Sequence, residues 1–360
     1  MESKQATLKD WILLTRPWSI TAPLVPFLVA LGWALSGNMI EPGGWVRWGL
    51  ALASAITLVL TCNLFNTWGD EVSGVDRTPG AFLTTPQIQE GKITLRQTFV
   101  FGCILFVLAG ALGIPTLFYP SVSDGGVTCV CKWLGLSAKW RFNLPLFVMA
   151  VVGFLGAVNY STGIKYKYHG LGVPFVALLQ GVLYMFVVME VVAPEAFTHQ
   201  FDFTASNEMW AWFPRVLFVG VTLPVAALVG VILHGNDMRD IATDRRAGIT
   251  TLAGVLKPKG SLVLFIVLHA VPYFVVLAEV GYAVVAAASN WEILLDLWSL
   301  ALPLLVLPLT VRLVGHAVRD YRANPEAPAW LDLEKGSGGI HFIFGLLYAF
   351  SFALLSSASA

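Results

Sequence analysis

Two stretches of the chain carry oxygen-bearing side chains at helical spacing. In the run from Asn63 to Arg77, Asn66 and Asp70 are four residues apart, which on an α-helix stacks them on one face about 6 Å apart along the axis. Gly74 permits a turn that brings Asp76 back toward them. In the run from His234 to Arg246, Asn236, Asp240 and Asp244 fall at successive four-residue steps and make one polar stripe. Carboxylate and amide oxygens so arranged suit a hard cation. Magnesium takes one or two carboxylates together with phosphate oxygens and waters, so two such sets facing each other could hold a diphosphate between two ions. A single acid of this kind would read as a solvated loop residue; two matching clusters read as a site.

The elements that must position them follow from hydropathy. The chain is 57% hydrophobic and 12% charged, against about 25% charged in soluble domains, so it has too little polar surface to face water. Apolar runs of the roughly 20 residues that a helix needs to cross a bilayer predict nine spans, at about 18–36, 47–66, 98–118, 143–163, 171–192, 213–235, 261–286, 293–315 and 338–357. Lipid-facing segments of this kind must be helical. The expected fold is an all-α integral membrane bundle, one nine-helix domain over 1–360 with a loop inserted at about 119–142. The first run follows Arg16-Pro17 and lacks a small-x-small cleavage site, so it reads as a retained span rather than a signal peptide.

The acidic stretches close the second and sixth spans, both even-numbered, and therefore lie on the same side of the membrane. Of the 22 lysines and arginines, only Arg47, Lys132, Lys139, Arg141 and Arg215 fall on the other side. By the positive-inside rule the motif side faces the cytosol or its equivalent. Net charge is zero, and nothing in the balance suggests a nucleic-acid partner. Cys62, Cys103, Cys129 and Cys131 fit neither a zinc spacing nor a disulfide framework. Glu190 and His269, polar groups within apolar runs, are expected to face the bundle interior with a hydrogen-bonding partner.

At these residues the sequence resembles the UbiA superfamily of intramembrane prenyltransferases, whose members carry one Asn/Asp-rich motif after helix two and another after helix six. Asn66-Thr67-Trp68-Gly69-Asp70, closed by Gly74-Val75-Asp76, is similar to the menaquinone branch, and Thr67 after the asparagine is closer to its eukaryotic members. The run Arg239-Asp240-Ile241-Ala242-Thr243-Asp244-Arg245-Arg246-Ala247-Gly248, with Thr251-Leu252-Ala253, is similar to the same branch. So are Arg16-Pro17, the stretch from Tyr160 to Ile164 and the stretch from Lys167 to Gly172. The 119–142 connection with Cys129 and Cys131 is longer than the family pattern and leaves room for an accessory or partner-binding role.

The resemblance implies magnesium-dependent ionisation of a polyprenyl diphosphate, geranylgeranyl or similar, and capture of the chain by a naphthoquinol-type acceptor in menaquinone (vitamin K2) biosynthesis. Asn66, Asp70, Asp240 and Asp244 would hold the magnesium, with Asp76 as a further ligand or an orienter. Lys167 and Arg239, with Arg77 as a third, would contact the diphosphate, since a departing anion needs cationic partners. Tyr160, Trp68 and Asn236 would line the prenyl and acceptor pocket, aromatic faces stabilising an allylic cation. The partners are thus the diphosphate, the aromatic acceptor and membrane lipid. Two alternatives stay open: the same chemistry on 4-hydroxybenzoate, homogentisate or a chlorophyllide, and a secondary transporter, although a transporter usually holds its ion near the bilayer midplane.

Overall fold

The computed structural model describes residues 5–79, 85–120, 127–128, 139–200, 213–286 and 297–357. After a short capped helix, Leu8–Leu14, the chain forms α1 (Thr21–Ser36), α2 (Gly44–Val72), α3 (Leu95–Gly113), α4 (Leu144–Asn159) and α5 (Gly172–Val192). Four more follow: α6 (Phe213–Arg246), α7 (Leu252–Ala286), α8 (Leu307–Ala323) and α9 (Leu333–Ser357). The protein is an all-α, multi-pass membrane bundle. Among the described residues, eight helices are long and apolar enough to cross a bilayer, counting α1 from Pro17 and α8 from Trp298 with the 3-10 turns that precede them, while α4 is apolar but only 16 residues long.

The shortness of α4 departs from the expected span 143–163 and has a local cause. Asn159 turns its side chain back, its Oδ1 accepting from the amide of Ile164 at 3.1 Å, while Gly163 and Lys165 adopt positive φ of 55° and 54°. The helix therefore stops at Asn159, and the next residues are free to cross the motif side as a connection. The expected 119–142 loop is framed by a small antiparallel sheet, β1 (Phe118–Pro120), β2 (Val127–Thr128) and β3 (Lys139–Phe142), in the order β1-β3-β2. Cys129 and Cys131 lie outside the described residues.

Lipid tails are as apolar as leucine, so the helices associate through close packing and hydrogen bonds rather than through burial from water. Small residues supply the packing: a Cβ on Gly32 of α1 would collide with the Ala349 carbonyl of α9, and one on Gly345 of α9 with Val25 of α1. Polar pairs supply the rest. Tyr273 and Thr310 link α7 to α8 at 2.5 Å, and Tyr348 of α9 donates to Glu279 of α7 at 2.6 Å. Glu190 is buried and accepts from Asn143 at 2.9 Å. His269 is buried with Nδ1 2.9 Å from the Phe265 carbonyl. Both face the interior with a partner, as their positions in the sequence imply.

Midway along α5 the backbone adopts a π-turn over Ala177–Leu183. Gly181 sits there directly against the Ala226 backbone of α6, an approach that only a residue without Cβ allows. The widened turn places Gln180 on the central cavity.

Candidate active site

The first acidic stretch forms the last turns of α2. The helix stops at Val72, and Gly74 takes φ 80°, placing Val75–Arg77 in a single 3-10 turn. That turn brings Asp76 into the field of Asp70, Arg16, Lys167 and Glu71; burial first, and the charge of Asp70 second, push its carboxyl up to about 6.

Asn66 and Asp70 are 7% and 6% exposed and are served by the connection after α4. A Cβ on Gly69 would stand 2.9 Å from the Ser161 carbonyl oxygen, so the glycine lets that connection lie flat on α2. Ser161 donates to Asn66 Oδ1 at 2.7 Å. Lys167 Nζ lies 2.9 Å from Asn66 Oδ1 and 3.2 and 3.0 Å from the two Asp70 oxygens. Tyr168 donates its hydroxyl to Asp70 Oδ1 at 2.5 Å, and burial, followed by the charge of Asp70, raises its phenol above the usual range and keeps it a donor.

The second stretch continues α6 beyond its apolar section. Arg239 grips Asp240 with both arms, Nε at 2.9 Å and Nη2 at 2.6 Å, while Nη2 also donates to Asn236 Oδ1 at 2.7 Å. Its Nη1 donates to Glu334 Oε2 of α9 at 3.1 Å. Bidentate charge-assisted pairs of this kind fix geometry as well as charge. Asp244 lies in the field of Asp240, Lys167, Asp70 and Arg239, so the two stretches act on each other electrostatically.

Both open onto one cavity of about 960 Å³. Asn66, Lys167, Asn236 and Arg239 stand at its polar end, and Leu58, Leu179, Tyr184 and Val229 line its apolar part. Tyr160 is also on its wall, its ring 5.9 Å from Lys167 Nζ.

Two of the expected residues have other partners in the ligand-free chain. Arg77 pairs with Glu71 at 2.6 Å and is 68% exposed. Trp68 packs against Phe99 of α3 with ring centroids 5.1 Å apart; like Asp70, Asp76, Asp240 and Asp244, neither is among the lining residues of the cavity. The structure adds Glu334, Tyr168, Asp237 and Arg16. Asp237 is buried in the field of Asp244, Lys167 and Asp240. Arg16 lines the cavity in a left-handed conformation of φ 54° and donates to Thr67 at 3.2 Å, a strained backbone of the sort that clusters at functional sites. The spacing of Asp237 and the position of Glu334 at the head of the last span were signals in the sequence, but neither repeats the four-residue step.

The donor set suits a divalent cation. Asp70 and Asp240 stand behind the cavity wall on the lining residues Lys167 and Arg239, and three hard oxygens from Asn66 and Asp70 already converge on a positive charge, the Lys167 ammonium. Among the described residues no three His, Cys, Asp or Glu side chains form a closed metal cage. Magnesium needs no such cage, because it keeps waters and shares its shell with substrate phosphates.

Comparison with known proteins gives one family: the profile of the UbiA prenyltransferase family matches residues 125–329. The mouse protein named UbiA prenyltransferase domain-containing protein 1 is 29% identical over 355 residues, covering 97% of this chain and 85% of the relative. A Drosophila melanogaster homologue is 27% identical over 344 residues, covering 95% and 78%. Among solved structures, a UbiA homologue from Archaeoglobus fulgidus bound to GPP and Mg2+ superposes with a TM-score of 0.55 at 15% identity, over 96% of this chain and 99% of that one. A structure of digeranylgeranylglyceryl phosphate synthase gives 0.52 at 18% identity, over 96% and 98%. At these identities the two structures establish the shared fold.

Proposed function

The chain belongs to the UbiA prenyltransferase family, and from that premise we propose that it transfers a polyprenyl group, geranylgeranyl or similar, from its diphosphate to a naphthoquinol-type acceptor in menaquinone (vitamin K2) biosynthesis. That it is a membrane-embedded transferase follows from family membership together with its apolar helices. The acceptor class is supported by the Gly74-Val75-Asp76 ending of the first motif. One observation carries the reading: Asn66 and Lys167 of the first stretch and Asn236 and Arg239 of the second line one cavity whose wall is mainly apolar.

The residues divide the work by charge. Asn66, Asp70, Asp240 and Asp244 would hold magnesium, with Asp76 beside them, and the ion when bound would take up negative charge on the leaving phosphates. Lys167 and Arg239 carry donors that can turn from their carboxylate partners to phosphate oxygens. The allylic carbon–oxygen bond breaks, and the diphosphate leaves with the electron pair. A ring carbon of the acceptor then bonds the prenyl carbon and the ring loses a proton. Tyr160, Tyr166 and Tyr184 on the cavity wall present faces that favour the transient positive charge and exclude water.

The test uses purified protein with magnesium, geranylgeranyl diphosphate and a naphthalenediol acceptor, scored for prenylated quinol. Product that disappears in Asp70→Asn and Asp240→Asn variants supports the reading. Turnover of 4-hydroxybenzoate or homogentisate in place of the naphthalenediol would move the acceptor assignment. Absence of product with every acceptor would end it.

A further inference from the structure

Beside the central cavity, α8 and α9 leave between them a second groove, of about 490 Å³. Arg312, His316 and Arg319 line it from α8 at steps of four and three residues, so they stand in one row along that helix. Lys335 faces them from the first turn of α9. Further down the same groove the lining becomes apolar, with Leu309 and Ile343, which are 47% and 42% exposed. Along α8, the distance from Arg319 to Leu309 is about 15 Å at 1.5 Å rise per residue. The cations thus run along the groove from Arg319 to Arg312, one turn short of Leu309, and the lining beyond Arg312 is apolar. Its floor is open at Gly339, where a Cβ would meet nothing within 4 Å.

The cations are not consumed by the fold. His316 lies 3.5 Å from Asp320 and Lys335 3.0 Å from Asp332. Among the described residues, Arg312 and Arg319 have no acidic partner. Ordinary positive-inside anchoring asks only that basic residues sit near the membrane face; it does not align them over a cleft with an apolar end. Guanidinium groups bind phosphate through paired donors, and basic pockets between spanning helices suit anionic lipid headgroups.

We propose that the α8–α9 groove binds one anionic phospholipid, its phosphate on Arg312, Arg319 and Lys335 and an acyl chain along Leu309 and Ile343. The site is separate from the reaction chemistry but touches it. Lys335 and Gly339 line both the groove and the central cavity, so an occupied groove closes one wall of the cavity with lipid.

Native mass spectrometry of the full chain in neutral detergent tests this, with dioleoylphosphatidylglycerol against dioleoylphosphatidylcholine as the added probe. One retained phosphatidylglycerol per chain is expected, with phosphatidylcholine lost. Each near-surface cation strengthens attraction to an anionic headgroup on the order of fivefold, so Arg312→Gln/Arg319→Gln should weaken retention about 30-fold. Ile343→Trp, which fills the apolar end and leaves every charge in place, should also lower retention, and Asp240→Asn should not. Equal retention of the two lipids, or no change in either groove variant, would overturn the proposal. Displacement of the bound lipid by stoichiometric geranylgeranyl diphosphate would overturn it too, by identifying the prenyl donor as the occupant.

Discussion

With its ammonium among the oxygens of Asn66 and Asp70, Lys167 is placed to hand its charge to a phosphate. A charge-assisted hydrogen bond is worth about 1.5–3 kcal/mol, so Lys167→Met should raise KM for the prenyl diphosphate roughly 10- to 100-fold; an unchanged KM would remove Lys167 from the site. Arg77→Gln is expected to leave KM within about twofold, because the Arg77 side chain is exposed and turned toward Glu71 rather than onto the cavity. Asp76 gives the site a pH limb. Its carboxyl titrates near 6, above the usual carboxylate range, so below that pH it is protonated and a poor cation ligand. Apparent magnesium affinity in the prenyl transfer assay should therefore fall as pH drops through 6, whereas a flat response from pH 5 to 8 would exclude Asp76 as a ligand. The four-residue steps that align Asn66 with Asp70, and Asn236 with Asp240 and Asp244, were legible because helical geometry is periodic. The partners of Arg77 and Trp68 were not legible, because one follows a turn whose direction no spacing encodes, toward Glu71, and the other packs on Phe99 of α3. Glu334 belongs to a helix almost a hundred residues away from Arg239, and only packing reveals that pair.

At the scale of the helices, hydropathy located the spans but not their interruptions. Apolar content is the same in a helix that stops at Asn159 as in one that runs on to Gly163, and the stop comes from a side chain capping its own connection. The π-turn in α5 is invisible for a similar reason: the sequence contains a glycine, and only the approach of α6 explains it. Gly181→Val should accordingly overpack that crossing by about 1–3 kcal/mol, measured as a lower melting temperature in detergent. Because Gln180 shares the turn and lines the cavity, activity should fall with it. A variant as stable as the parent would show that α5 and α6 can separate without loss.

For the whole molecule, the asymmetry of the two membrane faces is the organising fact. The acids of α2 and α6, the connection carrying Lys167 and the head of α9 all gather at one end of the bundle, whereas the strands β1–β3 lie in the connection at the other. By the positive-inside rule the acidic end is expected to face the cytosol or its equivalent. A cysteine introduced at Glu90, exposed on the motif side, should react with a membrane-impermeant maleimide in inside-out vesicles and stay protected in right-side-out ones; the reverse pattern would invert the orientation.

Lys167, lodged between Asn66 and Asp70, is a built-in counter-ion to those oxygens. A free divalent ion arriving alone meets a tethered rival that never diffuses away, while a donor bringing phosphates gives that rival somewhere else to go. Metal uptake would then follow the donor, and the protein without donor would respond little to ambient magnesium. Magnesium chloride alone should leave the melting temperature where it was, and magnesium with an unreactive thiodiphosphate analogue should raise it; an equal rise with the salt alone would show that the lysine yields without being offered a phosphate.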